Sequence, residues 1–147
     1  MPIAQACLPG ATILVTDHDV IVRIAIAEYL RDCGFRVIEA AGAAEARTVF
    51  QHGPEIHVLM VDARPGGDSG FALAQWVRRY DPRISIIHSA GFARKSEAAA
   101  HLCSGGQTPA PPASHLRDRI EAMNARHGRR VRVASGAKAR ITPRRVG

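Results

Sequence analysis

The sequence predicts an α/β fold in which a parallel sheet is covered by helices on both faces. Short apolar runs alternate with longer segments of helical character over most of the 147 residues. Turn-forming residues separate these segments. Several of the apolar runs end at a polar residue, which is where parallel α/β sheets bind their ligands. A chain of this length and ordinary composition is expected to form one domain.

Four apolar runs predict the strands of this sheet. Each is short and rich in Val, Ile or Leu, as is typical of strands that are buried on both faces. In chain order they are 11–16 (ATILVT), 35–40 (FRVIEA), 57–61 (HVLMV) and 83–88 (RISIIH). A weaker fifth candidate strand is His101–Cys103.

Helical segments follow the strands. They combine apolar residues at helical spacing with good helix propensity, and glycine, proline or an Asp-Pro pair ends several of them. The predicted helices are 20–33, 42–52, 71–80, 93–100 and 114–126.

The net charge of +7 comes from one end of the chain. Residues 1–125 hold 12 Lys/Arg and 13 Asp/Glu, whereas residues 126–147 hold the other 8 basic residues and no acidic one. We therefore predict an N-terminal extension (1–10), a folded domain (11–126) and a basic, disordered tail (127–147). The tail is either a solvated extension or an arm that contacts nucleic acid or another anionic surface.

The cysteines and the lengths of the apolar runs indicate where in the cell the protein is located. Cys7, Cys33 and Cys103 are odd in number and match no metal-site or disulfide spacing, so we predict free thiols, with Cys33 and Cys103 in or near the core. No apolar run reaches the roughly 18 residues of a membrane span, and the N-terminus lacks a signal-peptide pattern. These features predict a protein of the reducing cytoplasm.

Polar residues stand where three of the predicted strands end. Asp17, His18 and Asp19 follow the first strand, Asp62 the third and Ser89 the fourth. A parallel sheet brings these ends together into a cluster of carboxylates beside a hydroxyl. Mg²⁺ prefers such oxygen ligands. A carboxylate beside bound Mg²⁺ can attack a phosphoryl group, so the pattern indicates phosphoryl chemistry.

The segments ILVTDHD, LMVDARPGGDSG and IIHSAG resemble the signature segments of the response-regulator receiver domains of two-component signalling. The resemblance extends over about residues 11–126, with good spacing through Gly91. It implies a flavodoxin-like, doubly wound sheet of five parallel strands in the order 2-1-3-4-5, with an atypical fifth strand. It also implies a stand-alone cytoplasmic receiver in a phosphorelay, and not an enzyme. Its partners would be a sensor histidine kinase or phosphotransfer protein and an unidentified output protein, without a membrane.

The resemblance assigns roles to individual residues. Asp62 takes the position of the phospho-acceptor, and Ser89 that of the hydroxyl switch. Asp17, Asp62 and the backbone carbonyl of Arg64 take the positions that bind Mg²⁺. Gly70 matches the glycine that closes the loop after the acceptor.

Two departures from the family pattern leave an alternative open. His18 stands where a second acid is expected, and imidazole suits zinc or copper better than Mg²⁺, so we retain it only as a further candidate ligand. The Lys-Pro pair expected after the fifth strand is missing, and Lys95, after the fourth strand, is a candidate replacement. The alternative function is a pseudo-receiver, an interaction module that does not depend on phosphorylation.

Overall fold

The structure of the protein is a computed structural model, and it describes residues 10–62, 68–89, 91–104 and 114–135. Strands and helices alternate along these residues. The strands are β1 (Thr12–Thr16), β2 (Arg36–Ala40), β3 (Val58–Asp62) and β4 (Ser85–Ser89). The helices are α1 (Val20–Asp32), α2 (Ala43–His52), α3 (Asp68–Tyr80), α4 (Gly91–Ser104) and α5 (Ser114–Ser135).

The four strands form one parallel sheet in the order β2-β1-β3-β4. Leu14 of β1 lies beside Ile38 of β2 and Leu59 of β3, and Asp62 of β3 lies beside Ser89 of β4. Because all strands run in the same direction, their carboxyl ends lie at one edge of the sheet. The predicted α/β class and the order of the first four strands are confirmed.

Helices cover both faces of the sheet. Alternate strand residues point to opposite faces, so each face supplies its own apolar layer. On one face, strand residues pack with α2 and α3 in a buried cluster of Leu14, Ala40, Ala46, Phe50, Ile56, Leu59, Val61, Leu73, Val77 and Ile84. On the other face, α1 and α4 pack against each other. Among their buried residues are Ile26 and Leu30 of α1 and Leu102 of α4.

The segment after β4 differs from its prediction. A single helix, α4, runs from Gly91 to Ser104, so the fifth strand predicted at His101–Cys103 is wrong. The buried residues Ala99, Leu102 and Cys103 have the i, i+3, i+4 spacing of one helix face, which continues the helix predicted over 93–100. Residues 105–113 lie outside the described residues, and within the described ranges the sheet has four strands.

The chain divides into two units, Met1–Leu116 and Arg117–Gly147. Helix α5 begins in the first unit, where Leu116 is fully buried. It continues in the second unit to Ser135, so the helix includes the first nine residues, 127–135, of the predicted tail. The rest of the tail lies outside the described residues, and the domain boundaries stay a prediction. In the described ranges no helix combines the length and apolarity needed to cross a membrane.

A disulfide joins Cys33 to Cys103 across 70 residues of sequence. The prediction that these two residues are free thiols is therefore wrong. Cys33 is the C-cap of α1 and Cys103 lies in the last turn of α4, so the bond ties together the carboxyl ends of two packed helices. Spacing along the chain could not reveal a meeting of two helix ends. Without free thiols at these positions, the cytoplasmic location stays a prediction.

Replacing both bridged cysteines should lower the stability of the fold. A bond that closes a loop of this length is expected to contribute about 2–4 kcal/mol, mainly by restricting the unfolded chain. We expect urea unfolding of the Cys33→Ser/Cys103→Ser variant to show this loss, and reduction of the wild type to reproduce it. Cys7→Ser is the matched control and should leave stability unchanged. Equal unfolding midpoints for the double variant and the oxidised wild type would contradict the bridge.

Candidate functional site

Three predicted site residues meet at the carboxyl-terminal edge of the sheet. Asp17 directly follows β1, Asp62 is the last residue of β3, and Ser89 is the last residue of β4. The register between β3 and β4 places Asp62 directly beside Ser89. The rule that parallel sheets carry their chemistry at this edge therefore selected residues that the fold brings together.

Asp17 is held from several sides. Its side chain is buried, and its Oδ1 accepts the backbone N–H of Asp19 at 2.9 Å. Its backbone N–H donates to the carbonyl of Ala40, and its carbonyl accepts from Nη1 of Arg23 at 2.8 Å. Asp17 is thus fixed between the end of β2 and the first turn of α1.

Lys95 supplies the cation of the site. It lies in the first turns of α4, is only 7% exposed, and its Nζ donates to Oδ2 of Asp17. The same Nζ lies 3.2 Å from Oδ1 of Asp62, so one ammonium contacts both carboxylates. A buried lysine is rarely tolerated unless it is paired. The sequence indicates Lys95, which follows the fourth strand, only as a candidate replacement for the lysine that is missing after the fifth.

His18 lies against the same carboxylates from the solvent side. Its Nδ1 is 3.2 Å from Oδ2 of Asp62 and 3.8 Å from Oδ1 of Asp17, and its side chain is 58% exposed. Asp17, His18 and Asp62 each offer one possible metal-ligand atom, and these three atoms all lie within 4.8 Å of one another. The spacing of these atoms fits one metal ion. Arg64, whose carbonyl was predicted as a further ligand, lies outside the described residues.

The distances between the three ligand atoms suit Mg²⁺, but their chemical types suit it less well. Mg²⁺ prefers oxygen ligands, whereas the third donor here is an imidazole nitrogen, which suits zinc or copper. The ammonium of Lys95 already neutralises part of the negative charge that would attract a cation. Asp19 does not restore the missing acid, because its carboxylate caps α1 by accepting the backbone N–H groups of Ile21 and Val22.

Ser89 has a buried hydroxyl that has no hydrogen-bond partner among the described residues. The residue is 5% exposed, and its Oγ makes no hydrogen bond to any atom of the described residues. A buried hydroxyl that lacks a hydrogen bond costs about 1–3 kcal/mol, so such a group calls for an explanation. Its position beside Asp62 would be explained by a ligand oxygen that binds at this edge.

Gly70 allows α3 to approach the acceptor strand. A Cβ atom built on Gly70 would overlap the backbone carbonyl oxygen of Asp62 and lie 3.0 Å from Cγ1 of Val61. Only glycine leaves room for this contact between the first turn of α3 and the end of β3. The sequence singled out this glycine through the family resemblance, and the packing gives the physical reason for it.

His88 precedes Ser89 but takes no part in the cluster. Its ring stacks on Phe71 with a centroid distance of 5.6 Å, and its Nε2 lies 3.4 Å from Nη2 of Arg78. Burial first, and the charge of Arg78 second, lower the pKa of His88 below its ordinary value. The imidazole is therefore neutral at neutral pH and adds no positive charge next to Ser89.

Replacing His18 by an acid should restore a preference for Mg²⁺. In the His18→Asp variant a hard oxygen ligand replaces the imidazole, so we expect Mg²⁺ to bind roughly tenfold tighter or more by isothermal titration calorimetry. His52→Asp makes the same substitution at an exposed position, where α2 ends at the opposite edge of the sheet, and should leave Mg²⁺ affinity unchanged. Equal effects of the two variants would exclude His18 from the metal site.

Comparison with known proteins places this fold. No family model and no curated protein matches the sequence. Among solved structures, a response regulator from Thermotoga maritima is 20% identical, with a TM-score of 0.52 over 79% of this chain and 98% of that one. A response regulator receiver protein from Pseudomonas putida is 27% identical, with a TM-score of 0.51 over 63% of this chain and 79% of that one. The Vibrio cholerae chemotaxis protein CheY4 is 18% identical, with a TM-score of 0.51 over 77% and 98%. The chain therefore has the fold of a response-regulator receiver domain, with an atypical set of side chains at its strand ends.

Proposed function

We propose that the protein is a receiver in phosphorelay signal transduction that accepts a phosphoryl group on Asp62. The donor would be the phosphohistidine of a sensor histidine kinase or of a phosphotransfer protein, and the output would be the binding of a protein partner. The solved structures of similar fold are named as response regulators and receiver domains, which supports this class of function. We keep the cytoplasm as the proposed location, in line with the proposed receiver function.

The observation that carries the proposal is the buried hydroxyl of Ser89, which lies beside Asp62 and has no partner within the part of the chain that the structure describes. A phosphoryl group attached to Asp62 would bring oxygen atoms to this edge of the sheet. The Ser89 hydroxyl could then donate the hydrogen bond that it lacks among the described residues. A charge-assisted hydrogen bond of this kind is stronger than a neutral one, which gives the modified state a contact that the resting state does not have.

The chemical step uses the side chain of Asp62. A carboxylate oxygen attacks phosphorus, an O–P bond forms, and the P–N bond to the donor histidine breaks, with its electron pair returning to the imidazole nitrogen. The side chain of Asp62 is 12% exposed, so it is accessible from one side only. A divalent metal held by Asp17, Asp62 and His18 would offset the charge of the transferring group when bound.

A second candidate function is a pseudo-receiver whose interactions do not depend on phosphorylation. One observation favours it: Lys95 and His18 already contact both oxygens of Asp62. A carboxylate occupied in this way is a weaker nucleophile than one that faces solvent. The two functions differ in whether Asp62 gains a phosphoryl group.

Asp62→Asn should abolish phosphoryl transfer. Incubation of the wild type with acetyl phosphate and divalent metal, or with a cognate kinase, is expected to add the mass of one phosphoryl group. Intact-mass spectrometry measures this gain. The variant should gain none, because an amide cannot form the acyl phosphate.

Asp32→Asn, at the exposed end of α1, is the matched control and should gain phosphoryl mass like the wild type. A wild type that gains no phosphoryl mass with metal and either donor would support the pseudo-receiver. A gain that survives Asp62→Asn would place the acceptor elsewhere.

Ser89→Ala should separate the function of the hydroxyl from its effect on stability. Removing a buried hydroxyl that no described residue hydrogen-bonds is expected to raise the free energy of unfolding by about 1 kcal/mol. Phosphoryl transfer should nevertheless slow by roughly tenfold or more, because a hydrogen bond to a charged group is lost.

Ser85→Ala provides a close control. Ser85 is also buried, its Oγ also has no partner among the described residues, and it lies at the opposite end of β4. Urea unfolding should show a similar stabilisation for both variants, whereas only Ser89→Ala should slow the gain of phosphoryl mass. Equal transfer rates for the two variants would remove the assigned role of Ser89.

A further inference from the structure

We propose that Lys95 is a resident counter-ion of the acid pair, which a divalent metal displaces when it binds, so that occupation of the site acts on helix α4. The acid pair is Asp17 and Asp62. The inference rests on the proposed function in one respect only, namely that these two acids are the metal-binding acids of that site. The role comes from a residue on the helix after β4, not from the strand-five position where the family pattern has its lysine.

The contacts of Asp17 are the first argument. Both of its carboxylate oxygens are occupied: Oδ1 accepts from the backbone of Asp19, and Oδ2 accepts from Lys95. The first partner is fixed by the start of α1, whereas the second sits at the end of a flexible side chain. A metal ion that took Oδ2 of Asp17 as a ligand would repel the ammonium at close range, and the flexible lysine side chain can withdraw whereas the backbone N–H cannot.

The charges are the second argument. Asp17 and Asp62 bring two negative charges, and Lys95 returns one positive charge within the same contacts. Lys95 is 7% exposed, so water screens its charge poorly and a metal ion nearby would be repelled. The ammonium and the metal therefore compete for the same two carboxylates, and each weakens the binding of the other.

The position of Lys95 on α4 is the third argument. Cys103, eight residues further along the same helix, is bonded to α1 at Cys33, about 12 Å away from Lys95 along the helix axis. Release of Lys95 frees the beginning of α4 while the disulfide keeps its end in place. Binding of a metal ion to the acid pair would thus displace the amino-terminal end of α4.

Binding of Mn²⁺ to three proteins tests the competition. The probe is Mn²⁺ alone, measured by electron paramagnetic resonance on the wild type, Lys95→Met and Arg94→Met. Lys95→Met removes the charge and preserves the apolar stem, and we expect it to bind Mn²⁺ at least tenfold more tightly than the wild type. Arg94→Met removes an exposed cation one residue away and should change the affinity less than twofold. Equal affinities of the wild type and Lys95→Met, or an absence of Mn²⁺ binding in both, would overturn the proposal.

A second measurement uses the unaltered protein, in case Lys95→Met does not fold. The chain has two lysines, Lys95 and Lys138, so amine labelling followed by peptide mass spectrometry reports on each separately. Saturating Mn²⁺ should raise the labelling rate of Lys95 severalfold relative to Lys138. The displacement of Lys95 would be contradicted if its labelling rate relative to Lys138 stayed constant. This holds whether Mn²⁺ is shown to be bound or is present at the highest concentration tested.

The outcome is distinguishable from that of the proposed function. Phosphoryl mass on Asp62 of the wild type, combined with unchanged Mn²⁺ affinity in Lys95→Met, would retain the receiver and reject the role of Lys95. Tighter Mn²⁺ binding by Lys95→Met, combined with no phosphoryl gain in the wild type, would retain the competition and favour the pseudo-receiver.

Discussion

The carboxylates of Asp17 and Asp62 lie close together at the carboxyl-terminal edge of the sheet. The side chain of Asp17 is buried and that of Asp62 is nearly so, and the repulsion between their charges is the main constraint on this site. The ammonium of Lys95 relieves it by contacting both. Burying a charge is costly unless the charge is paired, so the three groups depend on one another. The ends of β1 and β3 and the start of α4 are held in one arrangement by this triad. Ser89 and Gly70 are positioned around it by the strand register and by the close approach of α3.

The opposite end of α4 is fixed by a covalent bond. The Cys33–Cys103 disulfide joins the carboxyl ends of α1 and α4, whereas the pairing of Lys95 with Asp17 joins the first turns of α4 to the loop that precedes α1. The two attachments differ in kind, because an ion pair can exchange partners and a disulfide cannot do so without a reductant. In a reducing cytoplasm the disulfide would be exposed to thiol exchange. The position of α4 would then depend on the ion pairs of Lys95 and on the packing of the helix against α1 and β4.

The sequence was sufficient for the features that depend on local patterns. The apolar runs predicted all four strands, and the rule for strand ends selected Asp17, Asp62 and Ser89. It failed where contacts join distant parts of the chain. The contact between Lys95 and Asp17 joins residues 78 positions apart, and the disulfide joins residues 70 positions apart. Neither contact produces a periodic pattern in the sequence. The strand predicted at His101–Cys103 is wrong because a short apolar stretch fits a strand and a buried helix turn equally well until its neighbours in the fold are known.

The charge of the site also bears on how metal binding and phosphorylation would influence each other. In the resting cluster two negative charges face one positive charge from Lys95. A phosphoryl group on Asp62 would replace one negative charge by about two. Negative charge would then exceed positive charge by one more unit, and a divalent cation would be bound more tightly. By linkage, a cation favoured by the modified state must favour that modification to the same extent. The resident lysine would thus weaken metal binding in the resting state, and the negative charge that a phosphoryl group adds would oppose that effect.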